Sequence, residues 1–345
     1  MGLCRREFTK LAGSIGLAAL AGGRASAQGT PNGFTLPVCF AGVNLGTCLY
    51  NYRSLPRPDD QQAYLQSLIE ACRQTGVGLV EVNATYLEPP SRLPFSGIPR
   101  LWDPPLGGRQ KEALEAMSGE EITAEREGLR DWRLFASPDY FARFADGLRA
   151  AGMRPFSYVM TFTPDMTEPE IEAIFRHAQA LGVRVFSTNQ TKIEMVPRLV
   201  PFAERHDMLL GFHNHTAVDD PNQVASVNSM ERIISASPRV KINLDVGHFV
   251  ATNQNVMAFI NAHFNNITHF HMKDRQRNYG RVTAFGEGDT PIGEILEVIR
   301  WRERAAPVFV EYEYAGSGTP VEETRSSLDF LRAALESSGP VRRTE

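Results

Sequence analysis

The sequence predicts a single-domain α/β protein: a closed (β/α)8 barrel behind a cleavable export signal. Three observations lead there. Short β-like runs alternate with amphipathic helical segments eight times, which builds a parallel sheet, and eight such units fit a closed barrel at this chain length. No G-x-G-x-x-G or G-K-[ST] loop follows any strand, which sets aside a doubly wound nucleotide-binding sheet. The last four strands each carry metal-capable side chains in their second half, where a barrel of this kind places its site.

The first residues stand outside that pattern. Arg5 and Arg6 precede Phe8 and Lys10, a mild Gly/Ala-rich apolar run spans Leu11 to Gly23, and Ala25-Ser26-Ala27 follows. A charged start, a short apolar stretch and an A-x-A site make residues 1–27 a twin-arginine-type signal peptide, too short and weak for a membrane span. The expected mature chain starts near Gln28 and is exported, periplasmic where the host has two membranes.

Taken in order, Val38–Leu45 reads as the first strand, Asp60–Gln74 as an amphipathic helix, and Gly78–Val82 as a second strand carrying Glu81. A long excursion at about 88–137 follows, Pro-rich to Pro105 and helical in its second half, Arg109–Leu129. A connection of that length serves as a lid, as a contact in a homodimer, or as a merely solvated insertion. Helix Pro138–Ala151 leads to strand Arg154–Thr161, and helix Glu168–Leu181 to strand Val183–Thr188. Helix Met195–His206 precedes strand Met208–His215, and Val224–Ser235 precedes Val240–Val246. Asn255–Asn265 precedes Ile267–Met272, Ile292–Arg304 precedes Val308–Glu313, and Glu322–Ser337 closes the chain.

Composition excludes several classes. A net charge of -4 without any basic block argues against nucleic acid as a partner. Beyond the signal no apolar segment is long enough to cross a bilayer. Cys39, Cys48 and Cys72 make no disulfide framework, so stability comes from a core. Cys39 and Cys72 sit in apolar contexts and are expected to be buried thiols.

The chemistry lies in the second half of the chain. In V-K-I-N-L-D-V-G-H, Ile242, Leu244 and Val246 share one face, while Asn243 and Asp245 share the other and His248 follows. Period-two spacing likewise puts His213 with His215, His269 with His271 and Lys273, and Glu311 with Glu313 on single faces of neighbouring strands. Gathering several imidazoles and carboxylates in a barrel is costly unless a cation or a polar network compensates. Imidazole plus carboxylate without thiolate suits Mn2+, Zn2+, Co2+ or Fe2+ rather than Ca2+.

L-D-V-G-H, H-F-H-M-K-D, G-E-G (Gly286–Gly288) and V-E-Y-E, in this order, resemble the xylose isomerase-like TIM barrel superfamily, the sugar phosphate isomerase/epimerase group. The likeness is strongest from Leu209 onward, and F-H-N-H resembles one subgroup's form. In the ketose epimerases of that superfamily, Glu, Asp, His and Glu hold a divalent metal, Mn2+ being the first choice here. Carried over, the ligands are Asp245, His271 and Glu311, with His213 at the position of the first Glu. His248 matches a substrate contact, and Glu313 and His269 are further substrate-binding candidates.

The histidine at 213 departs from the two-glutamate pattern that moves a proton beside a carbonyl, leaving Glu311 as one catalytic group. Lys273, His215, Glu313 or Glu81 is the candidate for the second, Lys273 through a pKa lowered by the cation. Lys273 paired with Asp274 at the surface is the alternative. The expected activity is isomerisation or epimerisation of a small, non-phosphorylated sugar or keto-sugar through an enediolate. Elimination of the β substituent of a 3-keto-glycoside is the alternative, and a non-catalytic sugar-binding barrel the second. Phosphodiester cleavage, as in the endonuclease IV branch, would need a basic DNA-binding face that the chain lacks.

Overall fold

Eight parallel strands close into a barrel in the computed structural model, which describes residues 39–91, 93, 117–302 and 306–337. They are β1 (Val43–Cys48), β2 (Leu79–Asn83), β3 (Arg154–Val159), β4 (Val185–Thr188), β5 (Leu209–His213), β6 (Val240–Asp245), β7 (Ile267–Met272) and β8 (Val308–Val310). Each pairs with the next, and β8 pairs with β1, Val308 opposite Leu45, to complete the circle. Residues 1–27, read above as an export signal, the Pro-rich stretch from Pro94 to Pro105, and residues 109–116 of the expected helix Arg109–Leu129 lie outside the described residues.

Helices cover the outside of the barrel. These are α1 (Gln61–Thr75), α2 (Gly119–Phe135), α3 (Pro138–Ala150), α4 (Glu168–Leu181), α5 (Val196–Arg205), α6 (Val227–Ile234), α7 (Val246–Ala251), α8 (Val256–His263), α9 (Ile292–Trp301) and α10 (Pro320–Ser337). Their starts follow from local chemistry. Asp60 caps α1 by accepting from Gln62 and Ala63, and Gly76 ends it in the left-handed conformation. Ser118 with Glu121, and Thr167 with Glu170, form capping boxes at α2 and α4. No helix among the described residues is long and apolar enough to cross a membrane.

Two expectations shift in detail. The run Val38–Leu45 is two strands, because Ala41 and Gly42 both take positive φ (46° and 92°) and turn Cys39–Phe40 back antiparallel onto Val43–Asn44. Strands β3, β5 and β8 end earlier than their alternation suggests, so His215 and Glu313 lie beyond the ladder. Cys39, expected to be buried, is exposed, whereas Cys48 and Cys72 are buried free thiols.

Apolar packing divides into two parts. A large core fills the space between strands and helices, with Ile242, Leu244 and Val246 of β6 and its end facing it. A small plug of Cys48, Leu79 and Phe309, with Phe156 against it, closes the lumen from below. Above that plug the lumen turns polar. Helix α2, the second half of the long excursion, packs Trp132 edge-on against Tyr140 and Phe141. Its buried Arg133 meets Glu88 and Glu170, so this half is anchored rather than solvated.

Candidate functional site

The site is assembled at the C-terminal ends of β5 to β8. Asp245 ends β6 and caps α7, its Oδ1 accepting from the His248 amide at 2.7 Å. Asn214 fixes that aspartate by donating to its carbonyl at 3.0 Å and accepting from its amide at 2.8 Å. Gly247 is required by close approach: a Cβ there would lie 2.8 Å from the Lys273 carbonyl oxygen. The turn into α7 can therefore cross the end of β7 only without a side chain.

His213, Asp245, His271 and Glu311 are all buried, and one ligand atom from each lies within 4.8 Å of the others. His213 Nε2 stands 3.6 Å from Asp245 Oδ2 and 3.6 Å from Glu311 Oε2, too far for a hydrogen bond. Neither ring nitrogen of His213 has a hydrogen-bond partner, and Asp245 Oδ2 has only the Lys273 ammonium, 2.9 Å away. Buried polar atoms are rarely left so, and atoms around a tetrahedral cation at roughly 2.1 Å lie roughly 3.4 Å apart. The donor set, two imidazoles and two carboxylates, fits a divalent transition metal.

Beneath this group lies Glu81. Its Oε1 is 2.6 Å from His271 Nε2, and its Oε2 accepts from Ser157 at 2.7 Å and meets His269 Nε2 at 2.8 Å. Both oxygens are committed. His269 is wedged between Phe156 and Phe309 in the floor and is fully buried, so the expected substrate contact is a supporting residue instead.

Above the group, Lys273 Nζ reaches Glu313 at 2.6 Å, Asp245 at 2.9 Å and Glu311 at 3.2 Å. Lys273 thus points inward. Asp274 points the other way, accepting from the amides of Gly286, Gly288 and Thr290, which explains K-D and G-E-G as one loop clamp. His248 lies with Nδ1 2.7 Å from Arg275 Nη1 and Nε2 3.2 Å from Lys273 Nζ. Arginine and ammonium can both only donate, so a neutral His248 ring, which has a single lone pair, can accept from only one of these two neighbours. His215 meets Gln190 at 3.3 Å. His213, His215, His248, His271, Glu311 and Glu313 all face one cavity of about 280 Å³.

Electrostatics follow from burial and crowding. Burial disfavours every charge here, yet the Asp245 and Glu311 carboxylates raise the pKa of His213, and Glu81 with Glu311 holds that of His271 well above its usual value. Burial also works against the Lys273 ammonium, but Asp245, Glu311 and Glu313 keep it well above the ordinary lysine range. The expected base form of Lys273 is thus opposed by three carboxylates. Burial, with the positive charge of Lys273 nearby, lowers His248 to about 3, and burial with His213 and Lys273 lowers His215 to about 3.

Sequence reasoning missed Asn214, Arg275, Cys48 and Ser187, the last of which lines the cavity and accepts from Asn243 at 2.7 Å. Asn214 was legible as the centre of H-N-H; Ser187 and Cys48 left only a polar atom in an apolar strand. Arg275, which follows Lys273 and Asp274, reads in sequence as part of a charged surface loop.

Fold and site together define a TIM barrel with a buried His/Asp/Glu group able to hold a cation. Residues 177–334 match the family described as xylose isomerase-like TIM barrel, so the chain carries that signature through the half of the barrel that bears the site. Solved structures of similar fold include the probable 3-DHS dehydratase AsbF from Bacillus anthracis, 14% identical over 86% of this chain and 98% of that one, TM-score 0.53. The 3-keto-D-glucoside 4-epimerase YcjR from E. coli is 12% identical over 84% and 99%, TM-score 0.54. The IOLI protein, solved with a bound zinc atom, is 12% identical over 86% and 100%, TM-score 0.55. At these identities the likeness is one of fold. No curated protein matches the chain.

Proposed function

We propose that the protein is an exported, divalent-cation-dependent sugar isomerase or epimerase acting on a small non-phosphorylated sugar or keto-sugar. The observation that carries this reading is the buried group His213, Asp245, His271 and Glu311, with both nitrogens of His213 unpartnered and three of the four residues lining one cavity. A cation held there would polarise a carbonyl oxygen and stabilise the enediolate formed when the neighbouring carbon loses a proton.

The chain's own residues divide the remaining work. Glu311 is the carboxylate placed to take the α proton. Lys273, anchored to Glu313 at 2.6 Å, is a charged donor beside Asp245 and Glu311. His248, neutral between Arg275 and Lys273, faces the cavity as a contact for a sugar oxygen. His215, neutral and facing the cavity, is the group left for the second proton. A cavity of about 280 Å³ suits a single sugar ring.

One observation favours a second reading. The two walls are unlike, a carboxylate on one side and neutral imidazole on the other, whereas moving a proton in both directions is best served by two similar bases. That asymmetry suits removal of a proton by Glu311 and expulsion of a β substituent, the lyase outcome on a 3-keto-glycoside. Incubation in D2O with sugars and 3-keto-glycosides, followed by NMR, separates the two. Deuterium in a recovered or epimerised sugar, lost in Asp245→Ala and His271→Ala, is the expected result; release of the β substituent selects the lyase. Stoichiometric metal without turnover of any keto-sugar leaves a sugar-binding barrel, and absence of metal by elemental analysis removes the cation reading.

A further inference from the structure

We infer that Glu81 is a positioning residue that dictates which nitrogen of His271 meets the cation and restores through that ring the negative charge that His213 does not provide. The inference rests on the cation reading above. An imidazole binds a metal through one nitrogen, and the hydrogen bond made by the other selects which. Here Nε2 meets Glu81 Oε1 at 2.6 Å, closer than the Asn243 amide nitrogen at 3.1 Å, while Nδ1 lies 2.9 Å from Glu311 Oε2, on the side of the ligand group. The ring is therefore presented Nδ1 first.

Glu81 is itself held from below. Ser157 donates to Oε2 at 2.7 Å, and His269 meets the same oxygen at 2.8 Å. His269 in turn has Thr268 Oγ1 2.9 Å from its Nδ1 and aromatic rings on both sides, Phe156 at 5.3 Å and Phe309 at 5.4 Å. The carboxylate thus sits on a rigid floor, and rigidity beneath a ligand is what fixes its orientation. The charge balance points the same way. Asp245 and Glu311 bring two carboxylates where the resembling ligand set has three, and Glu81, one hydrogen bond from His271, makes that ring a stronger donor.

A competing use of the same atoms exists. Cys48 Sγ is 3.7 Å from His271 Nε2, and Cys48, Glu81 and His271 are near enough to hold a second cation directly. Titration of metal-free protein with Co2+ decides. Expected are one equivalent bound to wild type without a sulfur-to-cobalt charge-transfer band, unchanged binding in Cys48→Ser, and affinity about tenfold weaker in Glu81→Gln, which keeps shape and loses charge. Glu81→Ala should lose about ten- to hundredfold. If that variant does not fold, Ser157→Ala, which loosens Glu81 without removing its charge, should cost a few-fold. In Zn2+-loaded protein, 15N spectra should show the His271 ring protonated on Nε2, and mixed or shifted in Glu81→Gln. Glu81 variants that bind Co2+ as tightly as wild type overturn this inference alone, as does a second equivalent with a charge-transfer band lost in Cys48→Ser. A wild type that binds no Co2+ removes the cation reading and this inference with it.

Discussion

Two clusters of buried charge lie in this barrel, and they differ in one respect. Outside the lumen, Arg133 binds Glu88 through two nitrogens (2.7 and 3.0 Å) and Glu170 through the third (2.8 Å), all three residues being buried. Every one of these polar atoms has a partner. Inside the lumen, an equally buried set leaves both nitrogens of His213 and Oδ1 of Asn243 without a hydrogen bond, and Oδ2 of Asp245 with only the Lys273 ammonium. Burial and charge alone therefore do not distinguish scaffold from site; completeness does. A closed network has spent its polar groups on itself and serves the fold, whereas an open one is built for something that comes and goes.

The contrast is broken most directly by removing one member from each cluster. Arg133→Ala strands two carboxylates and should cost about 3–5 kcal/mol of unfolding free energy in denaturant titration, with cation affinity unchanged in the folded fraction. Asp245→Asn should do the reverse. Lys273 loses one of its three carboxylates but keeps Glu311 and Glu313, so the metal-free variant should lose less stability than Arg133→Ala. Its cation affinity should fall about a hundredfold, roughly 2.8 kcal/mol. A stability loss in the lumen variant as large as that of Arg133→Ala, or a loss of affinity in the Arg133 variant, would erase the distinction.

What could be read in the sequence follows the same division. Alternation found all eight strands and put candidate polar residues on their inward faces, while the choice of His213, Asp245, His271 and Glu311, which the structure brings together, came with the family resemblance. Alternation overran the ends of β5 and β8, since His215 and Glu313 continue the period of two past the last ladder bond. The Arg133 network gave no such signal. Its partners lie 45 and 37 residues away, on different elements, and each alone looks like an ordinary helix or loop charge. Glu81 was visible as an inward carboxylate, but whether its oxygens were free depended on Ser157 and His269, which no local pattern connects to it.

A pH titration sharpens the comparison from the closed side. His177 stacks on Phe141, ring centroids 4.1 Å apart, beside Arg133, and burial followed by that arginine's charge lowers its pKa to about 4. The unfolded chain, near 6.5, binds the proton first, so stability is whole above that value, falls as pH drops to about 4, and is level below. Against His177→Gln, which does not titrate, wild type should lose about 3 kcal/mol across that window. Equal slopes for the two proteins in acid unfolding would show that His177 is not held neutral.

The smallest expected effect comes from the boundary of the open cluster. Asn214 is paired on both sides with the backbone of Asp245, so it belongs to the closed kind of network while positioning a member of the open one. Asn214→Ala leaves a buried amide and carbonyl unpaired, which should cost about 1–3 kcal/mol in stability. Because the Asp245 side chain remains tied to the α7 amide at His248, cation affinity should fall only a few-fold. Asn214→Asp keeps the acceptor for the Asp245 amide, loses the donor for its carbonyl and adds a charge near Asp245. It should therefore match the alanine variant in stability or fall below it, and bind the cation no more weakly. If Asn214→Ala instead abolishes cation binding while leaving stability intact, Asn214 belongs to the site rather than to its frame, and completeness of hydrogen bonding would no longer separate the two.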